Sequence, residues 1–236
     1  MTTKYFILTR SKNDPVNDNT NNQIINLNNN QTFILPQINM EYYSNYGLFE
    51  NSLIEWVKQL CSKDKIFLDI GAHTGTYGIS LAPYCKEVHC FEPQKMTFYA
   101  LCGSVALSNM QNITCHRFGL GSESQMGPIS LKIVSNDGGG SSIHASSDKV
   151  IREETIQIIT LDSMKLENIG FIKMDVEENE LYVLQGARET LIKSNYPKIL
   201  FESNYDNPNL FHFIRDSLGY NIIPISGCNN MYLATK

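Results

Sequence analysis

The chain has 236 residues, 42% of them hydrophobic, and a formal net charge of −5. That supplies a sizeable core for one α/β domain, while the acidic balance offers no electrostatic footprint for nucleic acid or an anionic membrane. No apolar run approaches the roughly 18 residues of a membrane span, and six cysteines without a Cys-x-x-Cys read as free thiols in a reducing, cytoplasmic setting.

In chain order, Tyr5-Phe6-Ile7-Leu8 is too short for the apolar region of a signal peptide. Residues 12–37 are rich in Asn, which competes for backbone hydrogen bonds and favours turns. With only short strands expected at Tyr5–Thr9 and Thr32–Leu35, residues 1–45 read as an Asn-rich N-terminal arm. A helix capped by Asn51 is expected through about Cys61. From Ile66 strands and helices alternate. Strands are predicted at Ile66–Ile70, Glu87–Glu92, Ile113–Phe118, Phe171–Asp175 and Lys198–Glu202, and helices at Thr76–Ala82, Lys95–Ser108, Glu180–Leu191 and Pro208–Leu218. Short apolar strands between helices mean a doubly wound, mostly parallel sheet covered on both faces. Tyr220–Pro224 and Met231–Thr235 flank a turn-rich stretch and predict a closing antiparallel hairpin. The main domain therefore spans residues 46–236. Within it, an insertion near 123–160 carries strands at Ile129–Val134 and Thr155–Thr160 around a Gly- and Ser-rich loop, a candidate lid.

The chemistry concentrates at the strand ends. Leu68-Asp69-Ile70 runs into Gly71-Ala72-His73-Thr74-Gly75, and the next strand ends in Phe91-Glu92-Pro93. Gly71 and Gly75 lack the Cβ that would block a ligand. A carboxylate about 20 residues beyond such a turn is where a doubly wound sheet holds a ribose diol. A dinucleotide site would carry Gly-x-Gly-x-x-Gly; here Asp69 precedes the first glycine, which would repel a pyrophosphate and suits the ammonium and sulfonium of S-adenosylmethionine. The expected donor contacts are Asp69, Gly71, Ala72, His73, Gly75, Glu92 and Pro93, with Gly119 and Leu120 at the adenine edge and Asp175 near the methyl group. Asp175, Glu177 and Glu202 are the candidate catalytic carboxylates, since a hydroxyl acceptor benefits from a base. His144, in the insertion loop, is a further candidate. Asp175, Glu202 and Asn204 offer oxygen ligands for Mg²⁺, but acidic strand ends are common without metal, and none is assigned.

These residues together resemble the FkbM family of S-adenosylmethionine-dependent methyltransferases. The resemblance runs from about Tyr46 to the C-terminus. It rests on the Asp69–Gly75 turn, Phe91-Glu92-Pro93, Thr160-Leu161-Asp162, Ile172-Lys173-Met174-Asp175-Val176-Glu177-Glu178-Asn179-Glu180, Leu184-Gln185-Gly186-Ala187 and Leu200-Phe201-Glu202. It implies a class I, Rossmann-like methyltransferase with a seven-stranded sheet, acting on hydroxyls of sugars or other small metabolites. The family typically has Gly after Asp-Val-Glu; here Glu178 stands there, which puts acceptor preference or turnover in question. Two other functions fit less well. One is a donor-binding module without turnover. The other is an RNA ribose methyltransferase, for which the chain is too acidic and Glu202 stands where a lysine is usual.

Overall fold

The computed structural model describes residues 3–11, 30–203 and 207–236. Strands β1 (Tyr5–Ser11) and β2 (Asn30–Pro36) pair antiparallel. They are followed by helices α1 (Met40–Tyr46) and α2 (Asn51–Lys58). The run of asparagines before Asn30 lies outside the described residues. Glu50, with φ of 55°, precedes α2 at the cap position expected for Asn51. The Asn51 side chain instead accepts from Arg10 Nη1 at 2.9 Å.

The hairpin packs against the main domain. Leu8, Phe33 and Leu35 belong to the same buried cluster as Phe67, Val88 and Leu101 of the main domain. The free edge of β2 is satisfied by two serines one helical turn apart on α4 (Lys95–Leu107) and at its end. The N–H groups of Thr32 and Ile34 donate to Ser108 Oγ and Ser104 Oγ, both at 2.8 Å, and Ser108 Oγ–H returns a bond to Thr32 O at 2.9 Å. An unpaired strand edge is thereby closed by side chains rather than by another strand.

The main sheet is built from β3 (Ile66–Ile70), β4 (Glu87–Phe91), β5 (Ile113–His116), β9 (Ile169–Met174), β10 (Lys198–Glu202), β11 (Asn221–Pro224) and β12 (Met231–Thr235). Their order is β5-β4-β3-β9-β10-β12-β11, with β12 antiparallel to both neighbours and the other pairs parallel. All five residues of β3 are buried, as a central strand covered on both faces requires. From β3 the chain moves outward through α3 (Thr76–Leu81), β4, α4 and β5, then returns to β9 on the opposite side of β3. This reversal opens a crevice beyond the carboxyl ends of β3 and β9.

β6 (Gly119–Leu120), β7 (Gly127–Ile133) and β8 (Arg152–Ile159) form a second sheet in the order β6-β8-β7, with an apolar cluster of Leu131, Ile133, Ile156 and Ile158. The helix expected over Glu180–Leu191 is two, α5 (Glu180–Gln185) and α6 (Arg188–Lys193). Gly186 separates them, packed so closely that a Cβ there would lie 2.1 Å from Gly121 O. The last helix, α7 (Pro208–His212), passes into a π-helical turn at Phe213–Ser217. Among the described residues no helix is long and apolar enough to cross a membrane.

Candidate active site

The turn after β3 is fixed by backbone conformation. Gly71 has φ of 76°, and a Cβ on it would fall 1.8 Å from Asp175 O, so only glycine lets this turn cross the end of β9. The N–H groups of Gly71 and Ala72 both donate to Phe91 O, at 3.0 and 2.9 Å. His73, at φ 51°, donates its N–H to Glu92 Oε2 at 2.9 Å. The turn is therefore a clamp between β3 and β4.

Two expected donor contacts are placed elsewhere. Asp69 is fully buried and does not line the crevice; its Oδ2 accepts from Gly78 N–H at 2.8 Å, beneath α3. Burial raises its pKa, with Lys173 pulling the other way. Gly75 is also absent from the crevice wall. Its φ of 88° starts α3, and a Cβ there would strike Leu101 Cδ1 at 2.5 Å. Both residues build the turn from below.

Glu92 occupies the position expected of a ribose-binding carboxylate. Its Oε1 accepts from Gln94 N–H at 2.8 Å and its Oε2 from His73 N–H, leaving further lone pairs on each oxygen. Burial pushes its pKa up to about 8 against the opposing pull of those two N–H groups. Beside it Pro93, Gly119 and Leu120 line the crevice with Ile156 and Ile158, an apolar slot suited to a flat base.

At the other end stand Lys173, Asp175 and Glu177. Lys173 Nζ donates to Gly71 O at 3.1 Å, pairs with Asp175 Oδ2 at 3.3 Å and lies 5.4 Å from the centre of the Tyr77 ring. Burial opposes the charge on Lys173, but Asp175 and Asp69 outweigh it and raise the pKa. The Tyr77 hydroxyl donates to Glu50 Oε2 at 2.7 Å. Glu202 does not line the crevice, but its carboxyl interacts with that of Asp175. Burial, then the Asp175 charge, lifts Glu202 to about 8. Glu177 is raised in the same sense by burial and by Asp175. Glu177 and Glu178 are consecutive residues in the left-handed region, φ 53° and 75°, so the family's usual Gly has a conformational reason at position 178.

The insertion loop lies across this crevice. Gly140 N–H donates to Glu177 Oε1 at 3.1 Å, and Ser142 Oγ–H to Glu177 O at 2.6 Å. His73 Nε2 meets Asp137 O at 2.8 Å. A carbonyl can only accept, so Nε2 carries the proton. Burial lowers the pKa of this imidazole. Asn39 Nδ2 donates to Asp137 Oδ2 at 2.9 Å, tying the loop to the segment before α1. His144 is not on the wall; its ring meets Asn179 Oδ1 at 3.1 Å and stacks on Tyr182.

The cavity measures about 390 Å³, is open to solvent, and is lined by both Glu92 and Asp175. Asn39, Tyr43, Phe49 and Glu50 also line it. No motif marks these four in the sequence, because tertiary packing of the N-terminal segment brings them there. Asn204 lies outside the described residues. Among the described residues no group of three or more His, Cys, Asp or Glu side chains is arranged to hold a metal ion.

Residues 69–228 match the family model of the methyltransferase FkbM domain. No curated protein matches significantly. Among solved structures, the chain is similar to an FkbM methyltransferase from Methylobacillus flagellatus KT, with 19% identity and a TM-score of 0.53. That alignment covers 74% of this chain and 44% of the other, so the chain spans less than half of that relative. A precorrin-6y C5,15-methyltransferase from Geobacter metallireducens GS-15 aligns at 12% identity over 79% of this chain and 88% of its own, TM-score 0.50. A ribosomal protein L11 methylase from Lactobacillus delbrueckii subsp. bulgaricus aligns at 10% identity over 80% and 78%, TM-score 0.50. The last two share a fold and are named for different acceptors, so the fold alone names no acceptor.

Proposed function

Because the chain belongs to the FkbM methyltransferase family, we propose that it is an O-methyltransferase acting on a hydroxyl of a small molecule, a sugar or glycan unit. Its donor is S-adenosylmethionine, which supplies an electrophilic methyl group on a sulfonium. The residues present fit that donor. Glu92 keeps lone pairs for two ribose hydroxyls, the glycine turn leaves room beside it, and the Pro93–Leu120 slot suits an adenine.

The observation that carries the acceptor reading is the meeting of Asp175 and Glu177 with Glu92 in one cavity. Methyl transfer is an in-line displacement, so most of the enzyme's task is alignment. A hydroxyl acceptor also sheds a proton, and a positioned carboxylate contributes about 10²–10⁴ in rate. Asp175 takes that proton, held in place by Lys173 and interacting with Glu202. Glu177 orients the acceptor while its backbone and carboxylate pin the insertion loop over it. The six cysteines, all free, accord with a cytoplasmic site of action.

Glu178 favours a second reading, a module that binds donor without turnover. It adds a carboxylate where the family has none, next to the catalytic candidates. Two measurements on the same protein separate the readings: calorimetric titration with S-adenosylhomocysteine, and transfer of labelled methyl to a panel of sugars. An enzyme gives both signals. Binding with no transfer to any hydroxylated acceptor would favour the module.

A further inference from the structure

Outside the cavity, α1 and the loop after it carry an aromatic shelf. Tyr42 and Phe49 stack at 4.1 Å between ring centres, and Tyr46 lies 5.1 Å from Tyr42. Tyr46 is 70% exposed, and Tyr42 and Phe49 are each more than a third exposed, so the three rings form one contiguous exposed aromatic patch. Phe49 belongs to both places, since it also lines the cavity. The shelf therefore continues the active-site wall outward.

The charge around the mouth restricts what can lie there. Glu50, Asp137, Asp175 and Glu177 line the cavity, and Glu41 sits beside Tyr42 on α1. Among the described residues on the wall, Lys173 is the one Lys or Arg, and it is already engaged by Asp175 and Gly71 O. The N–H groups of Gly71, Ala72 and His73, which would otherwise serve a phosphate, are spent on Phe91 O and Glu92. An anionic acceptor meets repulsion from these carboxylates and no free Lys or Arg on the wall. Aromatic rings, in contrast, pack well against the C–H faces of a neutral sugar whose hydroxyls reach the flanking carboxylates.

Resting on the carbohydrate reading above, we propose that Tyr42, Tyr46 and Phe49 form a subsite for the sugar residue adjoining the one methylated. The acceptor is then the end of an uncharged oligosaccharide, not a nucleotide-linked sugar or a nucleic acid. The subsite stands before the first residue matched by the family model.

The test compares three acceptors that share one terminal sugar: the free monosaccharide, a neutral trisaccharide and the nucleoside diphosphate sugar. Steady-state kcat/KM is measured with labelled donor on the full chain and on Tyr46→Ala. The trisaccharide should exceed the monosaccharide by about tenfold and the nucleotide-linked sugar should be the poorest. Tyr46→Ala should cut the trisaccharide's advantage about fivefold, through KM, as expected for loss of one stacking contact. S-adenosylhomocysteine affinity serves as the check that the site is folded and should not move. Preference for the nucleotide-linked sugar, or an undiminished trisaccharide advantage in Tyr46→Ala, would overturn the subsite while leaving sugar methylation standing. Transfer to none of the three, with S-adenosylhomocysteine still bound, would overturn the carbohydrate reading and the subsite with it.

Discussion

At the scale of single residues, Glu92 is the motif residue proposed to hold the donor's ribose. Both its oxygens are aimed by backbone N–H bonds from the two turns it joins, so on the proposed reading no side-chain search would be needed for ribose hydroxyls. Replacing it with alanine should weaken S-adenosylhomocysteine binding by about 1.5–3 kcal/mol, the scale of charge-assisted hydrogen bonds. Isothermal titration reads this directly, and an unchanged dissociation constant would remove Glu92 from the donor site. The same scale shows where sequence reasoning stops. Asp69 is legible as a motif acid, yet its direction depends on α3 packing over it, and the carboxylate ends on Gly78 N–H rather than in the cavity. Gly186 was part of the family pattern, but its effect, breaking one helix into two against Gly121 O, requires knowing what packs there.

At the scale of elements, alternation of short apolar strands with helices was enough to place the parallel sheet, because period and length are local properties. The N-terminal hairpin is less legible in the sequence. Its strands were visible as short β-prone runs, but its docking depends on Ser104 and Ser108, which look in sequence like ordinary polar residues of a helix. Ser108 carries a specific load: it accepts from the buried Thr32 N–H and donates to Thr32 O. Ser108→Ala should leave that N–H without a partner and cost about 1–3 kcal/mol of stability. Equilibrium denaturation with urea measures it, and a loss below about 0.5 kcal/mol would mean that the serine does not hold the strand edge. The residues that this docking delivers to the cavity, Asn39 to Glu50, were illegible for the same reason.

At the scale of the whole molecule, two buried carboxyls and the half-buried Glu202 share one electrostatic condition. Burial lifts Glu92 and Glu202 to about 8 and Glu180 to about 7, from an ordinary value of 4.5. In the unfolded chain each ionises near the ordinary value, so between it and the raised values the folded state holds more protons than the unfolded one. Stability then falls as pH rises through that window. Thermal unfolding of the free protein should show Tm declining from about pH 5 to about pH 8. The decline should be shallower with S-adenosylhomocysteine, whose ribose hydroxyls donate to ionised Glu92. A Tm that rises across the window would show that these carboxyls are ionised at little cost in the fold.

The central claim is that a carboxylate at the end of β9 takes the acceptor's proton while the rest of the cavity aligns the reactants. Asp175→Asn keeps the size of the side chain and removes the base. The decisive measurement is turnover of this variant at saturating S-adenosylmethionine and saturating sugar, with S-adenosylhomocysteine affinity determined on the same preparation. The account predicts a fall in kcat of at least about tenfold, the lower bound for losing a general base of this kind, with donor-product affinity held within about twofold. Full turnover in Asp175→Asn would contradict it and move the search for the base to Glu177.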